Sequence, residues 1–177
     1  DERKILSGFS LLSLKPMLYV VNVAEADAVK PVPPAVAQEA IERGAAHVVL
    51  SGSVEAEIAT LAPEEQGPFL AELGLEEPAI GRFIRAAYAL CDLISFFTVG
   101  PDEVRAWTVR RGSSARTAAG KIHTDLERGF IRAEIISLAD FFELQSEARC
   151  REVGKLRTEG KDYVVEDGDI LHVRFNV

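Results

Sequence analysis

Apolar and polar positions along this chain fall into blocks whose period changes about halfway. Met17-Leu18-Tyr19-Val20-Val21 is a short run rich in β-branched and aromatic residues, preceded by Pro16, and it reads as a buried strand. Lys30-Pro31-Val32-Pro33-Pro34 is a proline-rich loop, and residues 35–43 have helical spacing with Gly44 as their stop. A second buried strand is predicted at 46–50, ending in Ser51-Gly52-Ser53. Strand, helix and strand at this spacing make a βαβ unit with a right-handed crossover. Ser53 is the expected N-cap of the next helix, with Glu55 in its first turn. Pro63 with Glu64 and Glu65 starts another helix that stops at Gly74, and Pro78 starts a third that reaches about residue 92.

Composition shifts near Ile94, and Gly100-Pro101-Asp102 is a turn signal. The pattern then predicts a strand at 104–109, a turn at Gly112, a helix over 116–128 closed by Gly129, and a strand at 130–136. A helix capped by Ser137 follows over 138–147. Three short strands end the chain, at 156–158, 163–165 and 170–175, the last two joined by the turn Glu166-Asp167-Gly168-Asp169. This second block is an α+β domain of about 80 residues with a small mixed sheet and one main helix. The sequence has no internal repeats and no low-complexity segment.

Of the 177 residues, 47% are hydrophobic, which supports a packed core and argues against disorder. No apolar stretch approaches the length of a membrane span, and no signal peptide is visible. Cys91 and Cys150 are far apart and lack metal-like spacing, which favours free thiols in a reducing cytoplasm. The first residue is Asp1, not Met, and the chain opens in mid-pattern, as a fragment would. Residues 1–93 hold 7 Lys/Arg against 14 Asp/Glu, and residues 94–177 hold 13 against 14. Within 104–132 the balance reverses: Arg105, Arg110, Arg111, Arg116, Lys121, Arg128 and Arg132 face only Asp125 and Glu127. Such a run is either an electrostatic footprint for RNA or a solvated face with helix-terminal charges.

The first predicted strand ends in Asn22-Val23-Ala24-Glu25. Open α/β sheets bind ligands at the carboxyl ends of their strands, and Asn-x-x-acid is the spacing of a purine-reading loop. Asn offers donors and an acceptor, while an ionised Glu only accepts. The same quartet is also ordinary chemistry for a strand-end turn. A parallel second strand would bring Ser51-Gly52 beside it, where Gly allows close approach of backbone to ligand. A phosphate loop needs Gly-x4-Gly-Lys-Ser/Thr. Gly120-Lys121 has Ile122 next and Ala115 at the first Gly position, and Gly154-Lys155 has Leu156 next. The chain as it stands therefore cannot hold or cut a triphosphate in the usual way. His123 and Asp125 lack an accompanying nucleophile or metal ligands, so His123 reads as a cap or as an exposed group that meets RNA. His47 and His172 read as structural or solvent-facing, and Trp107 as core, with base stacking its weaker alternative.

Val104-Arg105-Ala106-Trp107-Thr108-Val109, Ala118-Ala119-Gly120-Lys121-Ile122-His123-Thr124-Asp125 and Gly129-Phe130-Ile131-Arg132-Ala133-Glu134 resemble the C-terminal region of the YchF / Obg-like ATPase family. So do Gly74-Leu75-Glu76-Glu77-Pro78, Ile84-Arg85-Ala86-Ala87-Tyr88, Phe96-Phe97-Thr98, and the ending Glu159-Gly160-Lys161-Asp162-Tyr163-Val164-Val165, Asp167-Gly168-Asp169 and Phe175-Asn176-Val177. The resemblance covers essentially the whole chain.

It implies an α/β fold, a partial P-loop-type G domain over 1–93 followed by an α+β ubiquitin-like β-grasp TGS domain over 94–177. Residues 1–15 would be the return from a helical arm. It further implies a ribosome-associated NTPase that prefers ATP to GTP, uses Mg2+ and acts in translation or stress responses, with RNA or the ribosome as partner and neither DNA nor membrane. Asn22 and Glu25 match the family's altered base-specificity loop, Val23 would meet adenine through its backbone, and Ser51-Gly52 matches the final nucleotide-loop position, with Gly for the usual Ala. No catalytic residue carries over, because the phosphate loop and switch regions of the family lie upstream of the residues matched here. The competing expectation is a non-catalytic RNA- or protein-binding adaptor, with Arg105, Arg110, Arg111, Arg116, Lys121 and His123 as its contacts.

Overall fold

The structure, a computed structural model, describes residues 5–100 and 103–176. Asp1–Lys4 of the expected arm return, Pro101 and Asp102 of the expected turn, and Val177 of the ending lie outside the described residues. The chain divides into two compact units, Asp1–Cys91 and Asp92–Val177.

In the first unit, β1 (Leu18–Asn22) and β2 (Ala46–Leu50) pair in parallel, with Leu18 opposite Ala46 and Asn22 opposite Leu50. Helix α1 (Pro34–Arg43) makes the crossover and ends at Gly44, whose φ of 61° is the left-handed conformation that lets its N–H close on Ala40 and Ile41. Helices α2 (Gly52–Ile58), α3 (Pro63–Glu72) and α4 (Ala79–Leu90) follow. Val54, Ile58 and Leu70 form the shared core of α2 and α3, with Phe69, Leu73 and Leu75 packed against it. The expected cap Ser53 lies inside α2. Ser51, still extended at φ −110°, takes the N-cap position because its carbonyl already accepts from Glu55 N. Glu55 stands in the first turn of α2 as expected and also serves another helix: its carboxylate accepts from Ala79 N at 2.8 Å and Ile80 N at 3.3 Å, satisfying the first turn of α4.

The second unit contains β3 (Leu93–Val99), β4 (Val104–Arg110), α5 (Ala115–Ile122), α6 (Thr124–Arg128), β5 (Phe130–Ser137), α7 (Leu138–Leu144), α8 (Glu147–Glu152), β6 (Arg157–Glu159) and β7 (Asp169–Phe175). The sheet order is β4-β3-β7-β5-β6. The first and last strands of the unit, β3 and β7, are central and parallel, and the other pairings are antiparallel. That topology, grasping α5, is the ubiquitin-like β-grasp. Ala115 and Ala118 bring α5 close to Ile94, Phe96, Val109, Ala133, Ile135 and Leu171. A second cluster of Ile136, Cys150 and Ile170 is covered by residues that include Leu138, Phe141 and Leu144 of α7.

Four expectations change here. The central strand β3 has no counterpart in the predicted elements. The expected helix over 116–128 breaks at His123, which is extended (φ −161°, ψ 146°) and whose Nδ1 accepts from Asp125 N, so it ends α5 and caps α6. The expected helix over 138–147 keeps its Ser137 cap, with Ser137 Oγ accepting from Asp140 N, but stops at Gln145 in a left-handed turn, and α8 follows. The expected strand at 163–165 makes only the isolated bridge of Val164 to Ser114, because Tyr163 turns to a buried acid. Trp107 is half-buried: its Nε1 donates to Thr98 Oγ1 at 2.9 Å, and the Arg105 guanidinium stands 4.3 Å from its ring centre.

The buried acid is Asp169, 2% exposed. Its Oδ2 accepts from Tyr163 OH and from Glu166 N, each at 2.9 Å, while Arg157 Nη2 donates to the same tyrosine oxygen at 3.0 Å. Burial first, then the bond to Asp169, pushes the Tyr163 hydroxyl up to about 12. The folded state therefore keeps this proton after an unfolded tyrosine, near 10, has lost it. The resulting stability is present below about pH 10 and is lost as pH rises towards 12, by about 2 kcal/mol. Urea midpoints measured across this range should fall more steeply in the wild type than in Tyr163→Phe; parallel curves would contradict the assignment.

Candidate nucleotide-base site

The carboxyl ends of β1 and β2 lie side by side because the two strands are parallel and in register. Val23 extends the ladder by one bond, donating its N–H to Leu50 O at 2.9 Å. Its carbonyl has no backbone donor among the described residues. Asn22 crosses between the two loops: its Oδ1 accepts from Gly52 N at 2.9 Å. With Oδ1 engaged, the Asn22 Nδ2 hydrogens remain for another acceptor. Ser51 is buried, its Oγ 3.0 Å from Ser53 Oγ. A Cβ added at Gly52 would stand 3.3 Å from Asn22 Oδ1, so alanine there needs a shift of only a few tenths of an ångström. Glu25 opens a single 3-10 turn, Glu25–Asp27, and its exposed carboxylate has no partner among the described residues. The two loops together offer a donor at Asn22 Nδ2, an acceptor at the Val23 carbonyl and a free carboxylate at Glu25. Adenine carries the complement, the N7 acceptor and the N6 amine donor.

Strand alternation separates the first two of the basic residues that lie close in sequence. Arg105 shares the face of β4 that carries Trp107 and Val109, and Arg110 points to the other face. Arg111 Nε is 3.5 Å from the Asp92 carboxylate, and Arg116 Nε donates to Glu127 O at 3.2 Å. Lys121 stands exposed in the last turn of α5, and His123 Nδ1 lies 3.5 Å from the Asp125 carboxylate. Gly120-Lys121 belongs to a helix and offers no phosphate loop.

A tighter cationic group forms elsewhere. Arg132 and Arg174 are cross-strand neighbours on β5 and β7. Glu134 Oε2 accepts from Arg174 at 3.1 Å and from Arg151 at 3.4 Å. The bond from Arg174, followed by the charges of Arg174, Arg151 and Arg132, holds the Glu134 carboxyl below the usual carboxylate range. Arg151 and Arg174 are 17 and 40 residues from Glu134, beyond any count along the chain. Their signal is positional: Arg132 and Glu134 alternate with buried Ala133 and Ile135 on β5. His172 Nε2 lies 2.8 Å from Glu147 Oε1, and His47 is exposed on β2. Among the described residues no helix is long and apolar enough to cross a membrane.

A family model named YchF-GTPase_C, described as "Protein of unknown function (DUF933)", matches residues 93–176. The chain is 49% identical over 179 residues to the "Ribosome-binding ATPase YchF" of Haemophilus ducreyi, covering 100% of this chain and 49% of that protein. It is 41% identical over 180 residues to the human "Obg-like ATPase 1", covering 99% of this chain and 45% of that protein. The solved structure of the Schizosaccharomyces pombe YchF GTPase superposes with a TM-score of 0.84 at 35% identity, over 97% of this chain and 46% of that one. The chain spans about half the length of the curated relatives it matches. It belongs to the YchF / Obg-like ATPase family.

Proposed function

We propose that this chain is the base-selecting and partner-docking portion of a cytoplasmic, ribosome-associated P-loop NTPase acting in translation or stress response. In this reading Asp1–Cys91 completes the G domain, and Asp92–Val177 is the TGS domain. The observation that carries it is the Asn22–Gly52 bond, which joins two loops at the carboxyl ends of adjacent parallel strands. Asn22 Nδ2 donates to N7 of the purine, and the Val23 carbonyl accepts from an exocyclic amine. Glu25 replaces the aspartate that grips the two N–H groups of guanine, so ATP is preferred and GTP is used less well. These residues supply no cradle for phosphates or Mg2+, so the reaction itself belongs to segments other than this one.

The test uses the full-length protein and its dissociation constants for ATP, GTP and ITP, whose base lacks the amino group. ATP and ITP should bind at least as well as GTP, and Glu25→Asp should move the preference towards GTP by about tenfold. A wild-type protein that strongly prefers GTP would overturn the adenine reading. The Arg132–Arg174 pair favours a second reading, in which the C-terminal unit acts as an RNA- or protein-binding adaptor without nucleotide. Ribosome co-sedimentation of Arg132→Glu and Arg174→Glu proteins separates the two, because the adaptor reading requires binding to fall in both variants whether nucleotide is present or not.

A further inference from the structure

Arg82 is the unusual cation of the first unit. It sits on α4, its Nε is shut off from solvent, and that N–H has no acceptor among the described residues. An enclosed charged donor left unpaired is costly, which makes the side chain a receptor for an anion. Arg85, on the same helix, is already paired with Glu77. Arg82 lines two cavities. The smaller, about 260 Å³, also has Glu76 and Glu77 in its wall, which disfavours an anion. The larger, about 370 Å³, is lined by Lys30, His47 and Arg82 and by no carboxylate. Lys30 Nζ is 2.5 Å from the exposed Asp27 carboxylate, so part of its charge is already balanced.

We propose that this larger cavity binds a phosphate group, with Arg82 as the primary ligand and Lys30 and His47 as flanking donors. Three structural elements contribute: α4, the loop after β1, and β2. Donors converging from three elements suit a tetrahedral anion with several terminal oxygens better than a flat carboxylate, and the planar guanidinium holds two of those oxygens at once. None of Asn22, Val23, Glu25, Ser51 or Gly52 lines the cavity, so the inference stands apart from the base-reading loop.

The test is calorimetric titration of the 177-residue chain with inorganic phosphate in a chloride buffer of constant ionic strength. Saturable binding at one site is expected, with Arg82→Gln raising the dissociation constant at least about tenfold and Lys30→Met about threefold. Absence of saturation, or unchanged affinity in a folded Arg82→Gln chain, overturns the proposal. If Arg82→Gln does not fold, the exposed pair Lys30→Met/His47→Gln carries the test, with a loss of about tenfold expected and unchanged affinity overturning it. Ribose 5-phosphate separates the two sources of the group: competition with phosphate assigns the site to a phosphate monoester, and phosphate binding alone assigns it to the free anion.

Discussion

Truncating Phe96 to alanine is expected to remove about 3–5 kcal/mol from the C-terminal unit. Phe96 is 0% exposed and stands in β3, between β4 and β7, within the cluster that includes Ile94, Val109, Ala118 and Ile135. Loss of the ring removes apolar burial and leaves a cavity, and β3 is held by pairing to β4 on one side and to β7 on the other, which limits collapse into it. A unit of this size has a total stability of only about 4–13 kcal/mol, so the substitution brings it close to unfolding. Trp107, the single tryptophan, is paired with Phe96 across β3 and β4, so its fluorescence reports on this core directly. Urea titration should show the midpoint falling sharply in Phe96→Ala and by much less in Phe96→Leu, which keeps most of the volume. A wild-type midpoint in Phe96→Ala would mean that the Phe96 ring is not packed in this core.

The same strand shows where sequence reading stops. Leu93-Ile94-Ser95-Phe96-Phe97-Thr98-Val99 is apolar on both faces, because Ile94 and Phe96 enter one core while Phe97 and Val99 pack against the other. A strand covered on both sides loses the alternation that identifies strands, and this one follows α4 with only Cys91 and Asp92 between. Asp92 makes that sharp corner with a φ of 55°, which no proline or glycine announces. The opposite failure occurs at 163–165, where Tyr163-Val164-Val165 has strand composition but pairing ends after one bridge and the Tyr163 hydroxyl is held by Asp169. At His123 the helical spacing continues through a break that a local side-chain cap imposes.

The closeness of the strand ends that carry Asn22 and Gly52 was legible because a βαβ unit brings consecutive parallel strands together. The division of labour within Asn22 was not, since it depends on a bond to a residue 30 positions away. Within the basic run, β4 sends Arg105 and Arg110 to opposite faces and Arg111 lies 3.5 Å from the Asp92 carboxylate, an arrangement that closeness in sequence does not foretell. Arg82 gave no sequence signal at all, since an arginine on an amphipathic helix ordinarily reads as solvated.

Alanine at Gly129 is expected to destabilise the C-terminal unit by about 3 kcal/mol. Its Cβ would lie 2.2 Å from the carbonyl oxygen of Asn176, 2.8 Å from that carbonyl carbon and 3.1 Å from Asn176 N. All three are backbone atoms, so no rotamer change relieves the overlap. The φ of −90° is open to any residue, and the penalty is therefore steric. Gly129 is also tied on both sides: its N–H donates to Asp125 O, and its carbonyl accepts from Asn176 N, each at 2.9 Å. Room for a methyl group comes only from parting the end of β7 from the start of β5, beginning at the Phe130–Phe175 pair. The thermal midpoint should fall by more than about 10 °C. Amide exchange should quicken first at Phe175 and Asn176. Gly160→Ala is the matched control, since nothing lies within 4 Å of a Cβ there and its φ is not positive. If Gly129→Ala and Gly160→Ala melt alike, the chain end does not pack against Gly129 as described.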